Sequence, residues 1–251
     1  MLHIQDPSYS RSYSTHEALV HTCSNSVSGF GAFAFASAKG IELLFEDDEF
    51  DRLLERGQYF LIVGIDEITN TASIGALEKI RENRPNLEIK VFLHNERSIF
   101  HPKVSFFRDE HGKGQLVIGS GNLTIGGLRQ NRECFAMVHL SKEKATAVQE
   151  EWQSWLDESG VFLKDLDDPE VLRRASENVR MLLRKNRRQD NGEQPPEPIQ
   201  EPEAELEPDA NWIFTHENKA LIAEIPRSGA RWKQANFDKG TFENFFGATP
   251  G

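Results

Sequence analysis

Cysteine is scarce in this chain: Cys23 and Cys134 are the two thiols in 251 residues. A pair so widely separated builds no disulfide framework, and no Cys/His spacing matches a zinc site. The expectation is therefore a protein with no metal and no cofactor. Long apolar runs are missing too, none reaching the roughly eighteen residues that a transmembrane helix requires. The opening MLHIQDPSYSRSYSTHE has no apolar stretch of the kind a secretory signal carries. These absences fit a protein of the reducing cytoplasm that does not enter a membrane.

An excess of positive charge is also lacking. There are 29 Lys and Arg against 40 Asp and Glu, a formal charge of −11. Much of that imbalance is local. Asp190, Glu193, Glu197, Glu201, Glu203, Glu205, Glu207 and Asp209 fall in one stretch without a Lys or Arg, and the rest of the chain carries −3. Nucleic-acid binding depends on a local basic surface rather than on the total, so the acidity excludes little.

What is present is an alternation of strand and helix patterns. FGAFAFA, Phe30 to Ala36, alternates aromatic and small residues as a closely packed buried strand does. Gly40 to Gly57 reads as one or two helices stopped by Gly57, Gln58 to Ile65 as a central strand, Thr71 to Arg84 as a helix, and Leu87 to Leu93 as the next strand. Strand, helix, strand at this spacing is a crossover unit and predicts parallel pairing. Lys103 to Phe107 and Gln115 to Ile118 flank the turn-forming RDEHGKG and predict a hairpin. Glu133 to Leu140 adds a strand; Lys142 to Asp157 and Pro169 to Arg187 read as helices. The first 25 residues are polar and show no pattern. The fold class is α/β, a mixed sheet flanked by helices over residues 1–188.

Residues 189–210 hold five prolines and the acidic block with almost no large apolar side chain, so a disordered acidic linker is expected there. Residues 211–251 return to a globular composition but are too few for an independent core. They form either a segment docked on the first domain or the start of a second one.

The chemistry gathers in FHPKVSFFRDEHGKGQLVIGSGNLTIGGLRQNRECFAMV, from Phe100 to Val138. Residues two apart on a strand share a face, so His101 and Lys103 project together, as do Ser120 and Asn122 where the backbone stays extended. A lone histidine is most often structural, and Gly-Ser-Gly-Asn most often a turn. In one ordered set they supply what phosphodiester cleavage needs without a metal: an imidazole nucleophile, with a cation and amide donors to clamp the phosphoryl oxygens. Glu133 is the carboxylate available to hold the imidazole's second nitrogen.

HPK followed by GSGN resembles the HxK…GSxN signature of the phospholipase D superfamily. The wider frame is similar to the single-motif branch that contains bacterial nucleases and metal-independent restriction endonucleases. The resemblance spans roughly Phe30 to Leu140 and implies a phospholipase D-like sheet. It further implies His101 as the nucleophile that becomes phosphohistidine, Lys103 and Asn122 as phosphate ligands, Ser120 as a positioning group and Glu133 as the residue that orients His101. The superfamily's Asp position is filled here by Arg108, with Asp109 one residue later. A single motif implies a homodimer whose two histidines share one site. In the tail, AEIPRSGARWKQANFDKGTFENFFG is similar, at Trp232, Gln234, Asn236 and Phe237, to the start of a DNA-recognition pseudobarrel. The implied function is cleavage of DNA in bacterial restriction or phage defence. The alternatives are RNA or phospholipid as substrate, or an idle nucleic-acid-binding subunit serving a helicase or methyltransferase.

Overall fold

Strand pairing organises the protein around one eight-stranded sheet. The computed structural model describes residues 1–190, with side chains through 183. The acidic stretch beyond Asp190 and the C-terminal segment 211–251 lie outside the described residues. In chain order the elements are β1 (Leu2–Gln5), α1 (Thr15–Cys23), β2 (Ser28–Phe33), α2 (Ala38–Phe45), α3 (Asp48–Arg56), β3 (Gln58–Gly64), α4 (Thr71–Glu82) and β4 (Leu87–Phe92). Then follow β5 (Lys103–Arg108), β6 (Gly114–Gly119), β7 (Glu133–Leu140), α5 (Lys142–Ser159), β8 (Leu163–Lys164) and α6 (Pro169–Asp190).

The order across the sheet is β1-β7-β6-β5-β2-β3-β4-β8. β2, β3 and β4 run parallel, joined through helices as the crossover pattern predicts. β5, β6 and β7 form an antiparallel meander beside β2, and β1 closes that side against β7. The result is the α/β mixed sheet flanked by helices that the strand and helix pattern predicts.

The helices begin where short polar side chains can satisfy free backbone N–H groups. Ser14 and Glu17 form a reciprocal capping box at α1, and Asn70 caps α4 through the N–H groups of Ala72 and Ser73. On one sheet face α1 to α4 and α6 cover the main core, in which Phe45, Phe50, Leu61, Phe107 and Phe135 are buried. Tyr59 packs among them, its hydroxyl 3.0 Å from Ser105 Oγ. The buried amide of Asn178 on α6 donates to the carbonyls of Ile65 and Thr69, tying that helix to the loop after β3.

On the opposite face α5 lies across Phe30 and Phe106, with Trp152 stacked on Phe30 at 4.1 Å. α5 leaves part of this face open. Leu2, Ile4, Ile118 and Val138 share it by register and are 65%, 59%, 50% and 41% exposed.

The absence of pattern in the first 25 residues is corrected by β1 and α1. The physical reason is visible in α1, where Thr15, His16 and Thr22 are buried beside Ala18, Leu19 and Cys23. Polar side chains on the inward face interrupt the apolar periodicity that marks a helix.

Candidate active site

Lys103 begins β5, Gly119 ends β6 and Glu133 begins β7, all at the edge where β2 finishes. Residues adjoining those strand ends therefore collect outside the carboxyl end of a parallel strand, a common place for ligands in α/β sheets. Beyond β2 the backbone continues to bond: Ala34 N–H donates to Pro102 O at 2.8 Å and Leu123 N–H to Phe35 O at 3.0 Å. Ser120 N–H donates to Cys134 O at 2.9 Å. These ties draw His101, the Gly-Ser-Gly-Asn segment and Glu133 to one rim.

Glycine allows that rim to close. A Cβ on Gly127 would strike the backbone nitrogen and oxygen of Asn122, and one on Gly121 would strike the carbonyl of Gly127. Gly127 belongs to a π-helical turn, Gly126–Gln130, whose backbone thus packs directly on the Gly-Ser-Gly-Asn segment. Below it the buried side chain of Gln5 donates to Asn131 O at 2.9 Å and Gly127 O at 3.3 Å, and accepts from Thr15 N–H at 2.8 Å.

His101 and Lys103 face the same way, although His101 precedes the strand. Lys103 Nζ lies 3.2 Å from His101 Nδ1, 3.1 Å from Nε2 and 3.3 Å from the His101 carbonyl. Both rest on Phe35: the imidazole meets its ring edge-on at 5.6 Å, and the ammonium is 5.9 Å from its centroid. Burial pulls the Lys103 ammonium below the usual lysine range, with the charge of Glu133 opposing the shift.

Asn122 turns its Oδ1 to the Phe35 N–H at 3.3 Å, which leaves Nδ2 as the donor end of the amide. The Glu133 carboxylate accepts from Ser120 Oγ on one oxygen and from Asn131 Nδ2, at 3.1 Å, on the other. Ser120 Oγ in turn accepts from Cys134 N–H at 3.1 Å. Ser120 and Glu133 are therefore a hydrogen-bonded pair bridging β6 and β7, and Glu133 is within electrostatic reach of Lys103.

Two residues have other duties. Arg108 donates to Gly112 O at 3.2 Å, to Thr146 Oγ1 at 3.1 Å and to Gln149 Oε1, pinning the β5–β6 hairpin to α5. Asp109 caps the hairpin turn through the N–H groups of His111 and Lys113. Both sit at the far end of β5 from Lys103, so neither supplies the missing carboxylate. Phe35 and Asn131 were not singled out from sequence. Phe35 looked like one more core aromatic, whereas Asn131 stands two residues before Glu133, a spacing that could have flagged it.

A histidine and a lysine thus share one aromatic floor, at the same rim as an asparagine amide and a serine-held carboxylate. The chain resembles the phospholipase D superfamily. Solved structures similar to it include NucT from Helicobacter pylori, at 17% identity and TM-score 0.41, covering 56% of this chain and 86% of that one. Nuc from Salmonella typhimurium, a phospholipase D family member, matches at 17% and 0.45 over 66% and 97%. Phosphatidylserine synthase from Haemophilus influenzae matches at 12% and 0.46 over 76% and 45%. No family model and no curated protein matches. Among the described residues no helix is long and apolar enough to cross a membrane.

Proposed function

We propose that the chain is a metal-independent phosphodiesterase that cleaves DNA through a phosphohistidine on His101. The observation that supports this most is the convergence of His101, Lys103 and Asn122 on Phe35. Lys103 Nζ and Asn122 Nδ2 are donors suited to non-bridging phosphoryl oxygens, whose charge grows in the transition state. A ring nitrogen of His101 attacks phosphorus with its lone pair, and the P–O bond to the leaving oxygen breaks as that oxygen takes a proton. Water then displaces the imidazole from phosphorus, giving a phosphomonoester and an alcohol and returning the proton. Glu133, held by Ser120 and Asn131, balances the charge that develops on the imidazole and Lys103.

The leaving oxygen needs an acid on the opposite side of phosphorus. In this reading His101 of a second copy supplies it, in a homodimer that shares one site. The exposed apolar strip of Leu2, Ile4, Ile118 and Val138 supports self-association, because it begins beside Ser120 and Cys134 on the same sheet face. The resemblance of the Gly-Ser-Gly-Asn frame and of the tail to restriction endonucleases is the ground for a role in bacterial restriction or phage defence, in the cytoplasm.

The experiment is cleavage of DNA in excess chelator by the wild type and by His101→Ala. The expected result is chelator-resistant cleavage lost in the variant, with phosphate label trapped on histidine after acid-free denaturation of the wild type. Cleavage abolished by chelator sinks the mechanism.

A further inference from the structure

Aromatic residues of the α5 face crowd beside His101. Phe92 and Phe100 stack at 4.3 Å with 10° between planes, and Trp155 lies nearly parallel to them at 6.0 and 6.2 Å. Together with Phe162, His94 and His101 they line a cleft of about 350 Å³. Phe92, Phe100, Trp155 and Phe162 are each partly exposed, so flat ring surface faces the opening. His94 packs edge-on against Phe92 at 5.4 Å. Both of its ring nitrogens are buried with no hydrogen-bond partner among the described residues. A polar group buried unpaired in an apolar wall is unfavourable.

We propose that this cleft seats one unpaired nucleobase adjoining the phosphate at His101 and Lys103. The inference rests on the nucleic-acid reading above and narrows its substrate to strands that are single or locally unpaired at the scissile bond. His101 belongs to both the cleft and the phosphate-binding rim, so an occupant of the cleft is joined to the reacting phosphate. A base offers a π face to the exposed ring surface of Phe100 or Trp155, and such stacking tolerates any sequence. An acyl chain would fill the same apolar space without using the flat ring surfaces that line it. A base inside a duplex is already stacked on both sides and enters a cleft only after leaving the helix.

The test uses the full chain in chelator, with a short oligothymidylate, an abasic deoxyribose-phosphate strand of equal length and charge, and short-chain phosphatidylcholine as probes. His101→Ala is used for binding so that no turnover intervenes. The oligothymidylate should quench the tryptophan emission that disappears in Trp155→Phe, and the abasic strand should not. In steady-state cleavage, Trp155→Ala should raise KM for the oligothymidylate roughly tenfold, the loss of one base–aromatic stack, with kcat unchanged. Cleavage of the abasic strand should be the same in both proteins. Equal quenching by the abasic strand, a response to the lipid alone, or equal kcat/KM on single and double strands overturns the cleft assignment and leaves the nuclease reading standing. Base-dependent quenching in a chain that cleaves no phosphodiester upholds the cleft and overturns that reading.

Discussion

Glu133 has both carboxylate oxygens engaged by side chains, Ser120 on one and Asn131 on the other. Its position is thus set before substrate arrives, and its charge is what remains for chemistry. Glu133→Gln should keep the fold, by melting temperature, while kcat falls about a hundred- to thousand-fold, the usual effect of losing one electrostatic stabiliser. Asn131→Ala should act less severely, because Ser120 still holds one oxygen. A different residue contributes to the pH dependence of stability. His16 is buried, its Nε2 2.9 Å from Leu43 O and its Nδ1 2.9 Å from an Arg129 nitrogen. Burial lowers its pKa, so the folded state favours the neutral ring. Its contribution is complete above the unfolded value of about 6.5 and is lost as pH falls through that value toward the lower folded one. Urea midpoints should therefore drop between about pH 7.5 and pH 5.5, and His16→Gln should flatten that drop.

The parallel unit β2-β3-β4 and the β5–β6 hairpin were legible because apolar runs of strand length alternate with helical spacing and turn chemistry. β1 was not, being four residues long with its outward face in solvent, too short for alternation to register. The pairing of Ser120 with Glu133 was also illegible: it follows from the β6–β7 register, Gly119 opposite Phe135, which no local pattern encodes. His101 and Lys103 were found by the two-residue period even though the strand begins only at Lys103. The Gly126–Gln130 turn was not legible, yet it supports the rim. Gly127→Ala should push its backbone away from Asn122, lower stability by about 1–3 kcal/mol and abolish cleavage while leaving the His101–Lys103 pair intact. Thermal melting and the chelator assay, read together, check this.

For the whole molecule, the proposed dimer makes the open sheet face a functional surface. Ile118→Glu places a charge in the centre of the exposed strip without touching the main core. The expected outcome is a monomer by sedimentation equilibrium, an unchanged circular dichroism spectrum and lost cleavage. A monomeric wild type that cleaves at full rate would exclude a shared site. Association should also protect the strip's exposed thiol, Cys134, from alkylation in a concentration-dependent way.

β1 is bonded to β7, so residues near position 2 close the sheet with residues near position 136. On the ribosome the first strand emerges on the order of ten seconds before its partner, at ordinary elongation rates. The central parallel strands can assemble during that wait, whereas Gln5 reaches Gly127 and Asn131 only afterwards. The catalytic rim therefore closes only after the central parallel strands have been made.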